Sequence, residues 1–233
     1  MRDKIVAFDA DDTLWVNETI FTSTRDKFKN LIGQYTDVDQ LEDRLYRTEK
    51  RNLGIFGYGI KGFTLSMIET AIEITREQIS SRDIHQITAW CKDMLAHPVE
   101  LLEAVEDTLQ ALREDYQLMV ITKGDLFDQE TKIARSGLGD LFDYIEIVSE
   151  KDENTYARIL RRHGISLDNF IMIGNSVKSD ILPICALGGR AVYIPFHTTW
   201  AHEQVAGEHA AAFTYETLQA ISELPALLQN VWR

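Results

Sequence analysis

The chain has 233 residues, 45% of them hydrophobic, enough for one large core or for a core with a second unit inserted. Its 24 basic and 37 acidic residues leave a net charge of −13, which argues against general affinity for nucleic acid or for anionic membrane surfaces. No apolar run reaches the roughly 18 residues of a membrane span, the charged Arg2-Asp3-Lys4 start does not resemble a signal peptide, and Cys91 and Cys185 lack disulfide or zinc spacing, so a reduced, cytoplasmic protein is expected.

The first element is the apolar run Ile5-Val-Ala-Phe8, which reads as a buried strand and ends in the carboxylates Asp9, Asp11 and Asp12. Crowding of that kind at a strand end rarely serves stability. Four helical patterns follow with no strand between them, over Thr19 to Ile32, Val38 to Arg51, Lys61 to Thr75 and Arg82 to Leu95. Gly54, Gly57, Gly59 and Gly62 alternate with Phe56, Tyr58 and Phe63 between the second and third, where a tightly turning loop is expected. Its aromatics, with Lys61, either line a substrate pocket or fill the small unit's core.

Pro98 closes the helical block. Beyond it, helices over Leu101 to Arg113, Phe127 to Arg135, Asn154 to His163, Ser179 to Leu187 and Thr217 to Gln229 alternate with strands. The strands are Leu118 to Ile121, Tyr144 to Val148, Phe170 to Ile173 and Ala191 to Ile194. That rhythm implies parallel βαβ units and an α/β fold with a doubly wound parallel sheet. The expected organisation is a core of residues 1–15 and 97–233, with a four-helix cap over 16–96 inserted after the first strand.

Four groups lie at or just past strand ends: Asp9 with Asp11, Thr122, Lys151, and Gly174-Asn175-Ser176 with Asp180. In a parallel sheet these ends share one edge, so the groups converge. The pattern Asp9-Ala-Asp11-Asp-Thr13, the strand ending in Thr122, Lys151, and Gly174-Asn-Ser-Val-Lys-Ser-Asp180 resembles the four motifs of the haloacid dehalogenase (HAD) superfamily. Order, strand context and separations agree from about Lys4 to Ile194, and the helical insertion resembles the cap of the superfamily's haloacid dehalogenase-like branch.

The resemblance implies a Mg2+-dependent phosphatase acting on a small phosphorylated metabolite through an aspartyl-phosphate. Asp9 would be the nucleophile, and Asp11 would protonate the leaving alcohol and then deprotonate water. Thr122 and Lys151 would hold the phosphoryl oxygens, with Lys123 and Gly124 on the substrate side. The magnesium ligands would come from Asp9, Asp11, Asn175 and Asp180. Spacing favours Lys151 over Lys123 or Lys178 as the motif lysine.

Two departures bear on these roles. Asp12 stands where the family commonly has Gly, and it reads as a solvated turn residue. Asn175 stands where the family has an aspartate, which removes a charge from the metal site. Ser176 and Ser179 read as helix caps. In the segment Pro195 to His202, His197 and His202 are five apart, a spacing unsuited to shared metal ligation.

Three other readings remain. A metal-independent 2-haloacid dehalogenase would need no proton donor and leave Asp11 without work. A non-catalytic member of the fold is disfavoured by the presence of both Asp9 and Asp11. A phosphomutase would use the same aspartyl-phosphate. No partner other than the substrate is expected, and the chain is read as a monomer or homodimer.

Overall fold

The computed structural model describes residues 3–37, 40–197 and 213–232. Strand β1 (Ile5–Phe8) has four apolar residues and all four are buried, as a strand covered on both faces requires. It pairs in parallel with β2 (Gln117–Lys123) on one side and with β4 (Phe170–Gly174) on the other, Phe8 standing opposite Val120 and Ile173. With β3 (Tyr144–Val148), β5 (Arg190–Tyr193) and β6 (Glu216–Thr217) they form a wholly parallel six-stranded sheet in the order β3-β2-β1-β4-β5-β6. The order changes direction beside β1, and such a switch point opens a crevice at the carboxyl ends of the strands.

Alternation along the strands divides the core in two. Val6 and Phe8 pack with Leu118, Val120, Ile171 and Ile173 under helices α5 (Val105–Leu112), α6 (Leu126–Arg135) and α9 (Leu224–Val231). Ile5 and Ala7 pack with Met119, Phe170 and Met172 under α7 (Glu153–His163) and α8 (Leu182–Ala186). The sheet is therefore doubly wound, as the alternation predicts.

Residues 19–98 together with 124–128 form a second compact unit. It holds most of α1 (Glu18–Ile32) and all of α2 (Leu41–Phe56), α3 (Ile60–Ile74) and α4 (Ser81–Ala96), packed around Phe28, Ile32, Leu45, Phe63, Met67 and Ile87. The chain leaves and rejoins the sheet unit through a short ladder, in which Val16 N–H donates to the Glu100 carbonyl (2.9 Å) and Leu102 N–H to the Leu14 carbonyl (3.0 Å).

Local differences from the sequence expectations have physical causes. α2 runs through Gly54 to Phe56, so the connection to α3 shrinks to residues 57–59, with Gly57 (φ 72°) and Gly59 (φ 111°) in a region that favours glycine. Phe63 is inside α3 and 6% exposed, packed on Phe21 with ring centroids 5.2 Å apart, so it fills the helical core rather than facing a substrate. The helix expected from Leu101 begins at Val105, because Leu101 bridges to Trp15 and Ala104 takes a left-handed turn (φ 61°). The helix expected from Ser179 opens instead as a wide π turn, Val177–Ile181, a form often found at functional sites.

Candidate active site

The apolar strands β1, β2 and β4 bring three of the four sequence stations to one edge of the sheet, and Lys151 joins them from the connection between β3 and α7. Asp9 follows β1, its N–H extending the ladder to the Ile173 carbonyl at 2.8 Å. Thr122 lies within β2, opposite Ile147 and buried. Lys151 directly precedes Asp152, whose carboxylate caps α7 by accepting from Thr155 N–H at 2.7 Å. Asn175 follows the last residue of β4.

Lys151 links two of these stations. Its ammonium donates to Asp9 Oδ1 at 2.5 Å and to Asp180 Oδ1 at 2.7 Å. Burial pushes Asp9 up to about 7, against the pull of the Lys151 charge, with Asp180 and Asp11 adding to the rise. Lys151 has the opposite balance: burial works to lower it, but the charges of Asp180 and Asp9 outweigh that and raise it. One buried cation between two buried carboxylates leaves a net negative charge that lacks full compensation.

Asp180 spends its second oxygen on the turn that carries it, Oδ2 accepting from Ser176 N–H at 3.0 Å. Ser176 caps that turn through its hydroxyl, which accepts from Ser179 N–H at 3.0 Å. Ser179 does not act as a cap in the same way; its hydroxyl accepts from Lys123 Nζ at 3.0 Å, and Tyr156 of α7 donates its phenol to the Ser179 carbonyl at 3.0 Å. Lys123 also faces Glu150 at 3.4 Å, and Lys178 is exposed. Gly124 follows Lys123 and groups with the helical unit.

A hydroxyl ties the first station to the fourth. Thr13 Oγ1 donates to Asp9 Oδ2 (3.2 Å) and accepts from Asn175 N–H (3.1 Å). The tip of the Asn175 amide lies 3.2 Å from Asp9 Oδ2 and 3.3 Å from the Asp11 carbonyl oxygen. With its nitrogen turned inward, the amide donates to both. With its oxygen turned inward, three oxygens meet, a hard donor set of the kind Mg2+ takes. The residues present therefore fit the ion through Asp9, the Asp11 backbone and Asn175. Among the described residues no three His, Cys, Asp or Glu side chains cluster as metal ligands, because the Asp11 and Asp180 carboxylates are turned to lysines.

Asp11 stands apart from its neighbour in this respect. Trp15 Nε1–H donates to its Oδ1 (2.7 Å), Gln129 Nε2 to its Oδ2 (2.9 Å), and Lys132 Nζ to both oxygens (3.1 and 3.2 Å). Burial alone would raise this carboxyl, but the Lys132 charge and the three sets of hydrogen bonds together hold it below its ordinary range. Gln129 and Lys132 are one turn apart on α6, and sequence reasoning passed over both. Their i,i+3 spacing on the helix after Thr122 was the available signal.

Asp12 corrects the expectation of a solvated turn. It is 7% exposed, adopts φ 61°, and accepts from Asn17 N–H (2.8 Å) and Glu18 N–H (3.0 Å), so it closes the amino end of α1. Burial pushes its carboxyl up to about 7 against those two hydrogen bonds. The left-handed backbone explains why a glycine suits this position. Of the aromatic segment before α2 and α3 meet, Phe56 and Lys61 are about half exposed, and Lys61 pairs with Asp125 at 2.8 Å. His202 lies outside the described residues.

Comparison with known proteins agrees with this arrangement. A family model described as haloacid dehalogenase-like hydrolase matches residues 4–188. The chain is 24% identical over 245 residues to human N-acylneuraminate-9-phosphatase, covering 99% of this chain and 95% of that protein. It is 23% identical over 240 residues to glyceraldehyde 3-phosphate phosphatase of Pyrococcus furiosus, covering 100% and 94%. Among solved structures, a haloacid dehalogenase-like family hydrolase from Xanthomonas campestris superposes with a TM-score of 0.87 at 42% identity, over 99% of this chain and 92% of the other.

Proposed function

The chain belongs to the haloacid dehalogenase-like hydrolases, and from that premise we propose that it is a Mg2+-dependent phosphatase of a small phosphorylated metabolite. The observation that carries the proposal is the buried Asp9–Lys151–Asp180 group, with Asp11 two residues from the nucleophile. A carbon–halogen hydrolase has no use for a proton donor at the position of Asp11. The phosphatase names of the human and Pyrococcus relatives support the same reading.

Asp9 attacks phosphorus through a carboxylate oxygen, forming an O–P bond as the bond to the leaving oxygen breaks. The departing electron pair receives a proton from Asp11, which is a carboxylate in the free protein and takes that proton from the substrate, bound as its phosphate monoanion. Water then attacks the aspartyl-phosphate, giving its proton to Asp11 and returning Asp9 as a carboxylate, so the two half-reactions balance. Thr122 and Lys151 hold the phosphoryl oxygens, and Asp180 keeps the Lys151 ammonium charged and in place. Asp9, the Asp11 carbonyl and Asn175 would hold Mg2+, which when bound lowers the repulsion between Asp9 and an anionic substrate. The core performs the reaction in this reading, and the inserted helices discriminate among substrates.

The test is phosphate release from para-nitrophenyl phosphate, then from a panel of phosphorylated sugars and acids, with and without Mg2+. Wild-type release that disappears on chelation and in Asp9→Asn is expected. Release that survives both, or chloride release from a 2-chloro acid in place of phosphate, overturns the reading.

A further inference from the structure

The carboxylate of Asp11 is gripped from two directions by three side chains. Trp15 Nε1–H reaches Oδ1 at 2.7 Å from the turn that follows β1. From α6, Gln129 Nε2 reaches Oδ2 at 2.9 Å, and Lys132 Nζ reaches both oxygens at 3.1 and 3.2 Å. Lys132 is itself steadied by donating to Asn17 Oδ1 at 2.9 Å, and Gln129 by donating to the Lys123 carbonyl at 3.4 Å.

Gln129 is 2% exposed, and its Oε1 is buried with no hydrogen-bond partner. A buried acceptor without a partner costs stability, and an apolar side chain of the same shape would avoid that cost. The amide is therefore kept for its donor, whose shorter bond is to Asp11 and whose longer one is to the Lys123 carbonyl. A purely structural tie between α6 and the turn after β1 would not require it.

We propose that Lys132 and Gln129, with Trp15, are positioning residues for Asp11, fixing its carboxylate where it takes a proton from the incoming phosphate monoanion and passes it to the leaving oxygen. The proposal rests on the phosphatase reading and adds to it residues that lie outside the four motifs. With both carboxylate oxygens engaged, the side chain is confined to one placement. A misplacement of about 1 Å in such a group costs on the order of a hundredfold in rate.

The distinguishing measurement is kcat/KM in saturating Mg2+ for two substrates of nearly equal size, phenyl phosphate and para-nitrophenyl phosphate. The first needs its leaving oxygen protonated and the second scarcely does. This parameter covers the steps through departure of the leaving group, so the later attack of water does not enter. In Lys132→Met and Gln129→Leu we expect a loss of about 10–100-fold on phenyl phosphate, a loss under about threefold on para-nitrophenyl phosphate, and substantial recovery in Lys132→Arg. Asp11→Asn should show the same asymmetry, larger. Equal losses on the two substrates in the Lys132 and Gln129 variants, or no loss in either, overturn the proposal while leaving the phosphatase reading intact. If Lys132→Met does not fold, Gln129→Leu and Lys132→Gln decide by the same ratio. A wild-type protein that releases no phosphate from either substrate overturns the underlying reading and this proposal with it.

Discussion

Lys151 Nζ lies 2.7 Å from Asp180 Oδ1, and the two side chains are each only 1% exposed. An ion pair so deep survives because the ammonium also meets Asp9 and the second Asp180 oxygen accepts from Ser176 N–H. Removing the cation leaves two buried carboxylates facing each other. Lys151→Met should therefore lose about 3–5 kcal/mol of stability and at least about a hundredfold in kcat. Denaturant unfolding alongside phosphate release checks both; a variant of unchanged stability would mean that the pair is open to water.

Asp9 yields a prediction with a definite sign. Burial raises its carboxyl from 3.8 to about 7 in the folded, metal-free protein. Below the unfolded value both states hold the proton. Between the two values only the folded state keeps it, so the contribution of Asp9 to stability falls as pH rises from about 4 to about 7 and is level above. Asp9→Asn should abolish turnover yet be more stable than wild type in chelator at pH 7.5, and the gap should shrink toward pH 4, by on the order of 1 kcal/mol per pH unit. Urea titrations at three pH values test it, and a gap independent of pH counts against a buried, proton-holding Asp9.

Gly174 has almost no room for a side chain. A Cβ there would stand 2.2 Å from Asp180 Oδ2 and 2.6 Å from Asp180 Cβ, too close for a rotation of the carboxylate alone to relieve. Gly174→Ala should cost about 1–3 kcal/mol and displace Asp180 from Lys151, lowering kcat more than it raises KM. Retained wild-type kinetics would show that Asp180 is not needed where it lies.

In the proposed metal site, Asn175 is the ligand whose substitution should change binding strength. Asn175→Asp restores the missing charge beside Asp9 Oδ2 and the Asp11 carbonyl, and the half-saturating Mg2+ concentration should fall by about tenfold. Calorimetric titration of Mg2+ into the inactive Asp9→Asn background gives a weak reference. An unchanged titration between wild type and Asn175→Asp removes Asn175 from the ligand set.

At Asp12 the carboxyl and the left-handed backbone can be separated by three substitutions. Asp12→Ala loses the acceptor for Asn17 and Glu18 N–H and strains φ 61°, costing about 1–2 kcal/mol. Asp12→Gly relieves the strain and should cost less. Asp12→Asn keeps an acceptor, tolerates the turn and carries no charge to bury, so thermal unfolding above pH 7 should find it equal to wild type or better.

The sheet and the four stations could be read from the sequence because both follow short-range rules. Buried parallel strands are continuous apolar runs, and Asp9, Thr122, Lys151 and Asn175 sit at or just beyond their ends. The grip on Asp11 had only the i,i+3 spacing of Gln129 and Lys132 as a signal, since it depends on the rotation of α6 about its axis, which brings that pair rather than Glu130 and Thr131 to the carboxylate. Asp12 was misjudged because a sequence does not display the sign of φ. The glycines before α3 suggested a longer loop than exists; one interior glycine costs a helix only about 1 kcal/mol, and α2 passes through Gly54 to end at the Gly57 cap.

The position of β1 also bears on how the chain folds as it is made. It precedes the other five strands of the sheet in the chain, yet it lies in the interior between Gln117–Val120 and Phe170–Ile173. Its edges wait on both neighbours while the local contacts of α1 to α4 can already form, a sequence of events that leaves an apolar strand exposed until β2 and β4 have been made. Asp9 cannot meet both Lys151 and Asp180 until the chain through β4 and the turn after it has been made, so a product ending before β4 would hold Asp9 and Lys151 without the Asp180 that ties the ammonium in place.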